Sequence, residues 1–160
     1  MKKLILCLSV LMSTFVSAQT ELPNMTLKNL DGKDIKLQDI SAGDKLVVVS
    51  LWATWCVPCK NELDAINDVY SDWQKNTGVT LYAITTDDAR TVNRVKPMVN
   101  GKGWEYEILY DTNNDLKRAL GAATIPLTLI VKNNKILYRH SGYTPGAEDE
   151  LFAKLQEFSK

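Results

Sequence analysis

Three nearly continuous apolar runs divide the chain. They are "KLVVVSLWA" at 45–53, "VTLYAIT" at 79–85 and "IPLTLIV" at 125–131. Runs of this kind, without regular alternation of polar residues, are typical of strands that are covered on both faces. They predict a sheet with other elements packed on both sides. A further strand is predicted over "EYEILYD" at 105–111.

Apolar residues at helical spacing lie between these strands. After Lys60 the pattern predicts a helix that ends near Gly78, a residue suited to a C-terminal cap. Its apolar stripe is formed by Leu63, Ile66, Val69, Tyr70 and Trp73.

Three more helices are predicted downstream. One begins at about Asp88 and is disturbed at Pro97, and a short one over 113–121 stops at Gly121. The last spans 147–160, with Leu151, Leu155 and Phe158 on its inner face.

Two hairpins complete the pattern. Asp31-Gly32 separates two short alternating segments and predicts an N-terminal hairpin over 25–37, with a two-residue turn and positive φ at both positions. Asn133-Asn134 joins the strand at 125–131 to a strand that begins at residue 135. Strands that alternate with helices predict an α/β fold with a parallel sheet core, and the final hairpin makes the sheet mixed.

The first eighteen residues differ from the rest. Lys2 and Lys3 precede an apolar run that contains Cys7, and small residues end at Ala18. This arrangement is typical of a secretory signal peptide, because the apolar run is too short for a membrane span. We therefore expect residues 1–18 to be a signal, cleavage near Ala18, and one domain over 19–160. The retained anchor is the alternative.

Composition narrows the function. The chain has 160 residues, of which 45% are hydrophobic, and a formal net charge of zero. Lysine and arginine form no basic stripe, so nucleic acid is not an expected partner. A core of this size needs no disulfide to hold it together, and Cys56 and Cys59 would close a very short loop that stabilises little.

The segment "WATWCVPCKNEL" therefore predicts chemistry rather than reinforcement. Cys56 falls where the strand at 45–53 meets the following helix, and unpaired N–H groups at a helix N-terminus favour a thiolate. Pro58 suits the first turn because it lacks an N–H group. Cys56 would attack a partner's disulfide, and Cys59 would then release the product.

These residues resemble the TlpA/ResA-like branch of the thioredoxin superfamily, whose members are exported thiol-disulfide oxidoreductases. The resemblance covers about residues 22–160, with Leu51 in place of the usual Phe. It implies a thioredoxin-like fold with a central mixed sheet flanked by helices, an N-terminal β-hairpin and an extra helix-strand insertion before the last hairpin.

The resemblance also implies a docking surface. A cis-proline faces the cysteines in this family, and "TIPLT" places it at Pro126, where Ile125 would turn its backbone toward a bound chain. Trp55 would flank the cysteines, and Pro58 would lie beside it. Leu127 differs from the threonine of many relatives. The alternative for Pro126 is an ordinary edge-strand proline.

Glu62 is the remaining catalytic candidate. Relatives of the ResA type carry a glutamate at this position, which could accept the proton of Cys59. The wider thioredoxin family has a buried acid six residues before the first cysteine, and Ser50 stands there in this chain. The alternative is a solvated glutamate in the first helical turn. Lys60 and Gly142 are weaker candidates for roles at the thiolate and the groove.

Two other functions use the same residues. Cys56, Cys59 and His140, the one histidine, could bind Cu(I). However, copper-handling relatives separate their cysteines by three residues. Structural zinc would need a fourth ligand. A peroxiredoxin is disfavoured because Thr54 has the wrong spacing to Cys56, and Cys59 is not at a typical resolving position.

The sequence thus predicts an exported, monomeric thiol-disulfide oxidoreductase that needs no cofactor. It would reduce protein disulfides, with cytochrome c maturation as one setting, and a membrane electron donor would reduce it again. The catalytic residues would be Cys56, Cys59 and Glu62, and the substrate-binding residues Trp55, Pro58, Ile125 and Pro126.

Overall fold

A seven-stranded mixed sheet forms the centre of the computed structural model, which describes residues 20–160. The predicted signal at 1–18, with Cys7, lies outside the described residues. The strands are β1 (Thr26–Asn29), β2 (Asp34–Lys36), β3 (Val47–Trp52), β4 (Thr80–Thr85), β5 (Glu107–Tyr110), β6 (Leu127–Lys132) and β7 (Lys135–Ser141). Their order is β2-β1-β5-β4-β3-β6-β7.

Strands β3, β4 and β5 are parallel, and all other neighbours are antiparallel. The predicted parallel core and mixed sheet are therefore confirmed. Strand β5 of the extra helix-strand segment pairs with both β4 and β1, so it connects the N-terminal hairpin to the central sheet.

Helices cover both faces of this sheet. They are α1 (Leu37–Ile40), α2 (Val57–Thr77), α3 (Val95–Lys102), α4 (Asp115–Ala119) and α5 (Ala147–Phe158). The apolar stripe of α2 packs on one face with Leu151 and Leu155 of α5. The other face is covered by residues of α1 and α4. Strands β3 and β6 are buried between the two layers, which explains their continuous apolar sequences.

The N-terminal turn differs from its prediction. Strands β1 and β2 do form a hairpin, but Asp31 is absent from the residues with positive φ, and only Gly32 has one, at 78°. The turn is longer because the side chain of Asn29 accepts hydrogen bonds from the N–H groups of Asp31 and Lys33. The two-residue turn at Asn133-Asn134 is confirmed, with φ of 50° and 63°.

The helix expected from Asp88 begins later. Asp88 accepts hydrogen bonds from Arg90, residues Val92–Arg94 form a 3-10 turn, and α3 starts at Val95. Pro97 lies in the first turn of α3, where its missing N–H group costs nothing. Gly78 caps α2 in the left-handed region, as predicted. Among residues 20–160, none of the helices is both long and apolar enough to cross a membrane.

Candidate active site

Cys56 and Cys59 lie where β3 is followed by α2. Cys56 is the N-cap of α2, and its sulfur accepts a hydrogen bond from the N–H group of Cys59 at 3.3 Å. The two cysteines form a disulfide, with their Cα atoms 5.3 Å apart. The positive end of the helix dipole therefore faces the Cys56 sulfur, where it would stabilise a thiolate after reduction.

The two cysteines differ in depth. Cys59 is fully buried, whereas 6% of the surface of Cys56 is exposed to solvent. Pro58 is the second residue of α2, the position predicted for a proline in the first turn. An approaching sulfur would therefore meet Cys56 first.

The peptide bond between Ile125 and Pro126 is cis, as expected. The carbonyl oxygen of Ile125 lies 3.8 Å from the Cys56 sulfur. The carbonyl of Pro126 accepts a hydrogen bond from the N–H group of Gly142 at 2.9 Å, so Gly142 contacts the backbone of this loop. The loop thus brings the backbone of Ile125 and the redox sulfur to one surface.

An open groove of about 510 Å³ lies between this loop and α2. It is lined by Trp55, Cys56, Val57, Pro58, Ile125 and residues of the segment 117–124. Trp55 and Val57 are 56% and 60% exposed, unusual for large apolar side chains. Trp52 is instead fully buried and packs edge-on against Trp104.

Glu62 is buried, with only 4% of its surface exposed. Its carboxylate accepts hydrogen bonds from the hydroxyls of Ser50 at 3.0 Å and Thr128 at 2.7 Å. The solvated alternative for this residue is therefore wrong. Glu62 follows Cys59 by three positions on α2, so the two side chains are neighbours on one face. The carboxylate lies against Ser50, the position at which the wider family has its acid.

Burial changes the acidity of this carboxyl group. Loss of hydration raises the pKa of Glu62 to about 7, although the two hydroxyl hydrogen bonds favour the charged form. The negative charge of Glu148 contributes to this rise. A carboxyl group of this kind can gain or lose a proton near neutral pH.

A second buried carboxylate, that of Asp87, was not predicted from the sequence. It accepts hydrogen bonds from the N–H group of Thr54 at 2.7 Å, from the Thr54 hydroxyl at 2.6 Å and from the Thr85 hydroxyl at 2.6 Å. Thr54 stands two residues before Cys56, so Asp87 fixes the segment that carries the cysteines to the end of β4. A pair of aspartates after a strand is also typical of an ordinary turn, so the contact between Asp87 and Thr54 could not be inferred from the sequence.

His140 does not join the cysteines. Within the described part of the chain, no three side chains of histidine, cysteine, aspartate and glutamate cluster as a metal site. His140 lies on β7 opposite Thr128 of β6, on the side of Glu62. The geometry thus gives no support to the Cu(I) alternative.

Replacement of Asp87 by alanine should loosen the active-site segment. The substitution leaves the Thr54 N–H group and two hydroxyls without their acceptor, and each lost partner costs roughly 1–3 kcal/mol, not fully additively. We expect urea denaturation to show a loss of about 2–4 kcal/mol in the free energy of unfolding. Asp88→Ala is the control, because the side chain of Asp88 is 40% exposed and pairs only with the nearby Arg90 and Thr91. Equal losses in both variants would contradict the role of Asp87.

Glu62 should make stability depend on pH. The pKa of this group is 4.5 in its reference state and about 7 in the folded protein. Between these values the folded state holds a proton that the unfolded chain has lost, so the free energy of unfolding falls as pH rises. Because of this group, we expect the free energy of unfolding to fall by roughly 3 kcal/mol between pH 4.5 and pH 8. In urea titrations, the free energy of unfolding of Glu62→Gln should not show this fall with pH. Parallel curves of unfolding free energy against pH for the two proteins would refute the role of Glu62 in the pH dependence.

A family profile and known proteins match this sequence. The sequence profile described as the AhpC/TSA family matches residues 18–140. The thiol-disulfide oxidoreductase ResA of Bacillus thuringiensis is 30% identical over 118 residues, which cover 73% of this chain. The chain spans 65% of the length of that relative.

Solved structures show the same fold. A thioredoxin-like protein from Porphyromonas gingivalis is 45% identical, with a TM-score of 0.76, over 86% of this chain and 91% of the other. The thioredoxin domain of a thiol-disulfide oxidoreductase from Bacteroides vulgatus is 20% identical, with a TM-score of 0.73, over 91% and 99%. The predicted thioredoxin-like fold is confirmed, and the match over most of its length shows that the chain belongs to the AhpC/TSA family.

Proposed function

We propose that the protein is a thiol-disulfide oxidoreductase that reduces disulfides in protein substrates. One observation carries this proposal. The Cys56–Cys59 disulfide caps a helix at an open groove, and the buried carboxyl group of Glu62 lies one turn further along that helix. The relatives named as thiol-disulfide oxidoreductases support it.

The reaction begins with the reduced pair. The Cys56 thiolate attacks one sulfur of the substrate disulfide, forms a mixed disulfide and releases the first substrate thiol. Cys59 then gives its proton to Glu62, and its sulfur attacks the Cys56 sulfur. The bond between Cys56 and the substrate breaks, and the second substrate sulfur leaves with the electron pair. Two electrons have passed from the dithiol to the substrate.

The groove suits an extended polypeptide. The exposed side chains of Trp55 and Val57 offer apolar contact area, and Pro58 forms part of the same wall. The cis peptide at Ile125-Pro126 presents backbone groups beside the reactive sulfur. A substrate chain laid across this surface would bring its disulfide to Cys56 without rearrangement of α2.

The cellular setting forms part of the proposal. The predicted signal at 1–18 supports export to the periplasm, where a membrane electron donor would reduce the protein again and apocytochrome c is one candidate substrate. A reductase of this kind requires a reduction potential below about −230 mV, whereas an oxidant would lie near −120 mV. A redox titration of residues 19–160, followed by tryptophan emission, separates the two directions.

The two cysteines should behave differently when substituted. Cys56→Ser should abolish the reduction of insulin disulfides, because the attacking sulfur is absent. Cys59→Ser should instead accumulate mixed disulfides with its substrates, since no second sulfur releases them. The readouts are insulin turnover and non-reducing electrophoresis. Insulin turnover by Cys56→Ser at the normal rate would refute the proposal, as would peroxide consumption without disulfide reduction in the unsubstituted protein.

Glu62→Gln should slow the second step selectively. The amide cannot accept the proton of Cys59, so decay of the mixed disulfide should slow by roughly 100-fold, while its formation changes little. Rapid quenching in acid under single-turnover conditions measures both steps. Asp64→Asn is the control, because Asp64 lies on α2 but pairs with Lys102 and Trp104 outside the site. If decay is equally fast in both variants, Glu62 is not the proton acceptor.

A further inference from the structure

A row of polar side chains crosses three strands beneath Glu62. Ser50 of β3 stands opposite Thr128 of β6, and Thr128 stands opposite His140 of β7. Directly opposed residues in antiparallel strands have their side chains on the same face, with Cβ atoms about 5 Å apart. Ser50 and Thr128 donate hydrogen bonds to the Glu62 carboxylate. His140 is thus the third member of the row, and its ring is partly exposed on the edge strand.

A small cavity adjoins the carboxylate, and it shares none of its lining residues with the groove. Its volume is about 10 Å³, near the minimum of roughly 10 Å³ that one water molecule requires. Five of its eight lining residues are polar, namely Glu62, Thr128, Tyr138, His140 and Glu148, and the other three, Ile66, Ala147 and Leu151, are apolar. A water molecule in this space would have the polar partners that it requires. The cavity therefore joins the buried carboxylate to a partly exposed imidazole.

We propose that this cavity is the exit route for the proton that Glu62 takes from Cys59, with one water molecule and the imidazole of His140 as carriers. The inference rests on the proposed function. The need for a route follows from burial, because Glu62 is only 4% exposed and a docked substrate would cover the groove above Cys56. Without a second opening, the proton would remain until the product had left.

The chemistry of each carrier fits this role. Water can accept one proton and donate another, and a neutral imidazole accepts a proton on one nitrogen while it can release one from the other. The proton would pass from the Glu62 carboxyl to the water, then to His140, and then to solvent. The departing substrate sulfur takes its own proton from solvent, so the exchange balances.

The fixed charge of Glu148 favours this direction. Its carboxylate accepts hydrogen bonds from the Tyr143 hydroxyl at 2.9 Å and from the N–H group of Gly146 at 3.1 Å. A negative charge held at the cavity wall opposes ionisation of Glu62, which helps this carboxyl group to take up the proton of Cys59. The same charge stabilises the positive charge of a proton that passes through the cavity. The titratable groups that face or influence Glu62 from the surrounding elements are Glu148, Tyr143, Tyr138, His140 and Tyr106.

The test is the decay of the mixed disulfide with insulin, measured in one turnover from pH 5.5 to pH 8.5 in light and heavy water. His140→Ala should slow decay by roughly tenfold at neutral pH and increase the solvent isotope effect, and free imidazole should restore the rate. Ala147→Leu fills the cavity without removing a titratable group, so it should slow decay in the same way, with no rescue by imidazole. Arg139→Ala is the control, since Arg139 precedes His140 on β7 and points to the opposite face.

The outcomes separate this inference from the proposed function. If His140→Ala and Ala147→Leu retain the rates, pH profile and isotope effect of the unsubstituted protein while Glu62→Gln is slow, the exit route is wrong and the role of Glu62 stands. If Glu62→Gln is also fast, both are wrong. Slow decay in His140→Ala that imidazole does not restore would assign His140 a structural role only, which overturns its part as a carrier.

Discussion

Burial of the Glu62 carboxylate is the constraint on which the arrangement of the site depends. A carboxylate removed from water is costly unless hydrogen bonds replace its hydration. The sheet supplies two of these, from the hydroxyls of Ser50 and Thr128 on adjacent strands. The register of β3 against β6 is thereby tied to the first turns of α2. The same turns hold the disulfide, so the acidity of the carboxyl group and the position of the sulfurs are set together.

Two carboxylates hold the active-site segment from opposite sides. Asp87 binds Thr54 at the start of the segment, and Glu62 anchors α2 to the sheet behind it. Asp87 accepts three hydrogen bonds, from Thr54 and Thr85, whereas Glu62 accepts two. Loss of hydration raises the pKa of Glu62, which suits this carboxyl group to exchange a proton as well as to hold the helix.

Local patterns predicted much of this structure. The apolar runs gave the central strands, the helical stripe gave α2 with Gly78 at its end, and the cysteine motif marked the junction of β3 and α2. Contacts that depend on the register of strands across the sheet could not be predicted from the sequence. Opposition of Ser50, Thr128 and His140 arises only when three strands are aligned, and residues 50 and 140 are far apart in sequence. The contact of Asp87 with Thr54 likewise requires β3 and β4 to end side by side.

The prediction of a two-residue N-terminal turn was wrong for a local reason. The side chain of Asn29 accepts hydrogen bonds from backbone N–H groups and so stabilises a longer turn. The short helix α1 was also missed, because four residues are too few for a helical period to appear.

The first described residues pair with the start of β7. The carbonyl of Thr20 accepts a hydrogen bond from the N–H group of Ile136, and the N–H group of Leu22 donates to the carbonyl of Asn134. These contacts lie at the beginning of β7, while the loop at Ile125-Pro126 faces the other end of that strand. A seven-residue strand is roughly 20 Å long. The chain therefore enters the described domain at the end of β7 that is opposite the redox groove, roughly one strand length from the Ile125-Pro126 loop.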